Sequence, residues 1–130
     1  MYYPLTIVDD FFDDFDNICN FVHDIKWKKQ ERYTMPGLVA DDLNELNPTL
    51  KIRIAHKILR LFYYRHAGYT YTMHSAKFYK ITPYGKEYSN KGWVHRDDDN
   101  ILSALIYIQG NKEHGTSFYK YKPASLNQTQ

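Results

Sequence analysis

The chain has 130 residues, enough for one domain with a buried core of its own. Hydrophobic residues make up 43% and charged residues 25%, the balance of a folded globular protein rather than a disordered one. The net charge is only +2 and the Lys and Arg residues are scattered, so nothing demands a nucleic-acid partner, and no apolar run approaches the roughly 18 residues of a membrane helix.

The first element is a short strand, expected over Leu5 to Val8. Asp13 then offers an N-cap, and Phe15, Ile18, Val22 and Ile25 recur at three- and four-residue spacing. That pattern predicts an amphipathic helix ending near Trp27. Cys19 lies within it. As the one cysteine it can form no internal disulfide, so it reads as a packed thiol in a reducing compartment. The basic run Lys26-Trp27-Lys28-Lys29 reads as a solvated helix end.

Residues 30 to 47 show no period and carry Met35-Pro36-Gly37 and the acidic pair Asp41-Asp42. They read as a long surface or lid loop with room for one short helical turn. Asn47-Pro48 is a strong helix start, with Asn as cap and Pro at the first helical position. Ile54, Ile58, Leu61 and Phe62 supply the apolar stripe of that helix. It should run to about Arg65 or His66, before Gly68.

Beyond Gly68 the period changes from 3.6 to 2. Residues 69 to 74 alternate, and so do 76 to 81, with Ala76, Phe78 and Lys80 on one face and Lys77, Tyr79 and Ile81 on the other. Pro83-Tyr84-Gly85 is turn chemistry. Residues 101 to 108 form a dense apolar strand, 110 to 115 a polar turn, and 116 to 121 another alternating strand. The abundance of Tyr, 13 in all, favours the same half-buried β surfaces. Helices first and strands after predict an α+β fold, a sandwich with helices on one face. The expected organisation is a single domain over residues 1 to 122 and a polar tail over 123 to 130.

Within this frame His95 and Asp97, in Trp93-Val94-His95-Arg96-Asp97, are the candidate site. His-x-Asp alone is weak, because 6 His among 130 residues meet an Asp two positions on by chance about half the time. On a strand, however, residues i and i+2 face the same way, so an imidazole and a carboxylate there can reach one metal ion. The context adds weight. A strand and a Pro/Gly turn precede the motif, and Leu102 to Ile108 then leads through a polar turn into Gly115-Thr116-Ser117-Phe118.

This ordered set resembles the 2-oxoglutarate/Fe(II)-dependent dioxygenase superfamily, in particular its prolyl-4-hydroxylase-like members and small phage or marine bacterial relatives. The opening Ile7-Val8-Asp9-Asp10-Phe11-Phe12 also resembles the start of such domains. The likeness is loose along the chain and specific from about Ala76 to Tyr119. It implies helices packed on an antiparallel double-stranded β-helix, a jelly roll incomplete in its C-terminal half. It implies Fe(II) on His95 and Asp97, 2-oxoglutarate as co-substrate, and a Tyr near Tyr79 that touches the co-substrate. Family members also carry a distal His and a basic anchor for the co-substrate's far carboxylate. Here His114 precedes Gly115-Thr116 in a turn, and Lys120 and Lys122 belong to the strand after it. Three arrangements follow: a shortened non-catalytic relative, a site completed by a second polypeptide, or an unusual site completed by His74 or His114. Iron and co-substrate are expected only where the site is completed.

Each residue also has a plainer role. His95 and Asp97 serve equally as structural remnants. Asp98 and Asp99 read as solvated turn residues, with Asp98 replacing Asp97 if the register slips by one. His74 reads as a hydrogen-bonded sheet residue. His114, His23, His56 and His66 read as surface residues. Tyr79 and Tyr107 read as packing residues, and Trp93 either lines a pocket mouth or caps the sheet. The first functional hypothesis is an oxygenase-like protein, a hydroxylase if active. The second is a non-catalytic structural or interaction protein, such as a virion component, whose exposed strand edges pair with its own copies or another chain. A cupin-like sugar-binding or isomerase domain is third, and lacks the Glu and His spacings it needs. The opening residues carry no basic and apolar leader pattern, so the expected location is the cytoplasm, or a virus particle if the chain is phage-encoded.

Overall fold

The computed structural model describes residues 5–30, 36–63, 75–83, 85 and 102–118. They fall into two compact units, Phe12–Trp93 and the pair of segments Met1–Phe11 and Val94–Gln130. The described elements are helices and a small antiparallel sheet, an α+β arrangement as the element order predicts.

The larger unit opens with helix α1, Phe15–Asp24. Asp14, not Asp13, is its N-cap residue. The Asp14 carbonyl takes the first amides, from Asn17 and Ile18 at 3.0 and 3.2 Å, but its side chain makes no cap bond. That carboxylate is committed to Arg53 instead, with both oxygens at 2.9 Å. The helix stops at Asp24, short of Trp27, because Ile25 turns to extended backbone and Lys28–Lys29 joins the sheet as strand β1.

Residues 36 to 47, expected to be mostly loop, hold two ordered elements. Strand β2 is Gly37–Val39 and helix α2 is Leu43–Leu46. Helix α3, Pro48–Tyr63, begins where Asn47-Pro48 predicts. The Asn47 side-chain oxygen accepts the Leu50 amide at 3.0 Å, the geometry of an N-cap. Strand β3 is Tyr79–Ile81, shorter than the alternation over 76 to 81.

The sheet order is β1-β2-β3, antiparallel throughout. Lys28 pairs with Val39 and Lys29 with Leu38, while Gly37, Leu38 and Val39 pair with Ile81, Lys80 and Tyr79. The β2–β3 connection extends past both strand ends. Thr82 donates to the Pro36 carbonyl at 3.3 Å, Ala40 to Phe78 at 3.0 Å, and Leu43 to Ala76 at 2.8 Å. Opposed residues share a face, so Lys28, Val39 and Tyr79 lie on one side and Lys29, Leu38 and Lys80 on the other. Phe78 alternates onto the Lys80 side and meets Phe21 of α1 edge-on, with ring centroids 6.2 Å apart.

The buried core is Ile18, Ile25, Ala40, Leu43, Leu50, Ile54, Ala55 and Ile58. The stripes predicted for α1 and α3 supply Ile18, Ile25, Ile54 and Ile58. Phe15, Leu61 and Phe62 are exposed, since each stripe is buried only where the facing element reaches it. Cys19 is half-buried.

In the other unit, described residues 5–11 and 102–118 form no helix or strand. The strands expected over 5 to 8, 101 to 108 and 116 to 121 are therefore absent where they are described. Ile7 is 81% exposed, and Leu102, Leu105, Tyr107 and Phe118 are exposed too. Alternation supplies an apolar side, but a strand also needs a hydrogen-bonded neighbour, and among the described residues these have no ladder. The polar turn does form: His114 donates its amide to the Asn111 carbonyl at 2.9 Å, and the Asn111 side chain accepts the Glu113 amide at 2.9 Å. The strand expected at 69 to 74, the helix end expected at Arg65 or His66, residues 119 to 121 of the last strand, and the tail over 123 to 130 lie outside the described residues.

Two substitutions test this scaffold. Asn47→Ala removes the α3 cap and is expected to lower unfolding free energy by about 1 kcal/mol in urea denaturation, while Asn47→Asp keeps most of it. Gly37 has φ +119°, and a Cβ there would overlap the Lys80 carbonyl oxygen across the β2–β3 pair. Gly37→Ala should therefore cost at least about 2 kcal/mol in the same measurement.

Candidate functional site

His95 and Asp97 lie outside the described residues, as do His74, Trp93, Asp98 and Asp99. Tyr79 is described. It stands at the start of β3, opposite Val39, and is 47% exposed. Its ring is on the sheet side away from Phe78 and Phe21, so the expected packing is one-sided. Tyr107 is exposed rather than packed, and its hydroxyl pairs with the Thr116 hydroxyl. His114 is exposed in its turn, its Nδ1 accepting the Asn111 amide at 3.3 Å. Among the described residues no three His, Cys, Asp or Glu side chains are grouped to hold a metal ion.

What the fold does bring together is a carboxylate centre at Asp42. Its Oδ1 accepts the Asn44 amide at 2.8 Å and Lys51 Nζ at 2.8 Å. Its Oδ2 accepts the Ala76 amide at 2.9 Å. One side chain thus caps α2, pairs with the first turn of α3, and holds the chain leading into β3. The Asp42 side chain is 18% exposed and that of Lys51 13%. Partial burial pushes the carboxyl pKa upward. The hydrogen bonds from Lys51, Asn44 and Ala76, with the Lys51 charge, outweigh that and hold it at about 2 against an ordinary 3.8. A carboxylate this weakly basic, with its oxygens already engaged, is a poor proton acceptor at neutral pH. Its role is to join elements.

Asp41, beside it, takes Lys28 Nζ at 2.6 Å across the β1–β2 pair. That hydrogen bond and the Asp41 charge raise the Lys28 pKa. The sequence held a signal for Asp42 that an undifferentiated acidic pair conceals. Asp42-Leu43-Asn44-Glu45 has the spacing of a capping box, an acidic cap followed three residues on by Glu. The links to Lys51 and Ala76 have no such local signature.

The geometry therefore explains how Tyr79 is placed on β3. A family profile spans residues 2–130, including the whole His95–Asp97 segment. The chain belongs to the family of unknown function DUF6445. It matches no curated protein and no solved structure. Among the described residues of this DUF6445 chain, no helix is long and apolar enough to cross a membrane.

The Asp42 centre makes a pH prediction. A lowered native pKa means that the unfolded chain binds the proton more readily. The ionised carboxylate's contribution is thus full above its ordinary pKa of 3.8 and is lost as pH falls toward about 2. Unfolding midpoints measured from pH 6 to about pH 2 should show a loss on the order of 1–2 kcal/mol attributable to this group. Asp42→Asn should reduce stability at neutral pH by a similar amount and flatten that acid limb.

Proposed function

We propose that this DUF6445 chain is a 2-oxoglutarate/Fe(II)-dependent oxygenase-like protein in which His95 and Asp97 are two ligands of the iron. The carrying observation is the ordered motif set: Trp93-Val94-His95-Arg96-Asp97, the apolar stretch Leu102 to Ile108, then Gly115-Thr116-Ser117-Phe118. Spacing of two on extended backbone turns an imidazole and a carboxylate to one side, the minimum for part of a facial metal triad. Bound iron would supply open coordination positions for 2-oxoglutarate and oxygen.

The scaffold proposed is a jelly roll of which β1, β2 and β3 are strands. Antiparallel pairing and a helix against one sheet side, through Phe21 and Phe78, support that reading. The chemistry, if the ligand set is completed, is hydroxylation of a substrate.

The second reading keeps the scaffold without catalysis. The observation favouring it is the row of exposed apolar side chains on β3, Tyr79 and Ile81, at the margin of the described sheet. An uncovered strand edge pairs readily with another chain.

Anaerobic calorimetry with Fe(II), followed by 2-oxoglutarate, separates the two. The oxygenase reading expects iron binding and a visible absorption band when the co-substrate is added. Removing even an outer-shell partner of a metal commonly costs about 10–100-fold in affinity, so His95→Ala should weaken iron binding by at least about 100-fold. Absence of binding, or binding indifferent to His95→Ala, would overturn this reading and favour the non-catalytic one. Binding that requires a second polypeptide would support a shared site.

A further inference from the structure

We draw no further inference here: the strongest candidate, the outward sheet face where Val39 lies beside Tyr79 and Gly37 beside Ile81 with Lys28 at its margin, is an unpartnered, partly apolar surface, and nothing among the described residues shows what covers it.

Discussion

The Asp42 carboxylate ties together elements distant in sequence. Leu43 follows it into α2, Lys51 reaches it from α3, and Ala76 reaches it from the approach to β3. The Leu43 amide meets the Ala76 carbonyl at 2.8 Å, so Ala76 is held through both of its backbone polar groups. From that point the β2–β3 pairing proceeds through Phe78 and the ladder to Thr82. The register of β3 follows from this fixed end, and with it the side of the sheet on which Tyr79 stands. A slip of one residue would exchange Tyr79 and Ile81 with Phe78 and Lys80.

A second set of charges joins α1 to α3. Arg53 and Lys57 are one helical turn apart and face Asp14 and Asp13, at 2.9 and 3.9 Å. The Arg53 guanidinium also lies 5.9 Å from the Phe12 ring centroid. These groups are substantially exposed, and exposed pairs typically contribute under about 1 kcal/mol each. Their main effect is directional: they choose which turn of α3 lies beside the start of α1. Burial of Ile18, Ile54 and Ile58 supplies the larger driving force. Gly37 makes the complementary contribution on the sheet, because its missing side chain permits β2 to approach the Lys80 carbonyl.

The motif set around His95 and Asp97 carries the chemical proposal, and the DUF6445 profile extends through it. The described structure contributes the placement of Tyr79 on an exposed sheet margin and excludes Asp42 as a ready proton acceptor. The acidic residues that look most available in a linear reading, Asp13, Asp14, Asp41 and Asp42, all face cations within the fold. Asp42 is the one that is largely buried and ties three elements together, while Asp13 is fully exposed and only loosely paired.

Local chemistry was enough to determine several features. Asn47-Pro48 specified the start of α3, since a cap and a proline preset act within one helical turn. Apolar spacing identified half of the buried core, in Ile18, Ile25, Ile54 and Ile58. Alternation placed Phe78 and Tyr79 on opposite faces, but the packing expected of Tyr79 is not seen, since its face is the exposed one. Tertiary structure decided the rest. Leu5 to Val8 and Leu102 to Tyr107 have strand-like composition but form no strand, because pairing partners are not encoded in the segment itself. Asp14 lost its cap bond to Arg53, and Asp42 gained Lys51 and Ala76, because those partners are distant in sequence and meet only when the helices pack on the sheet.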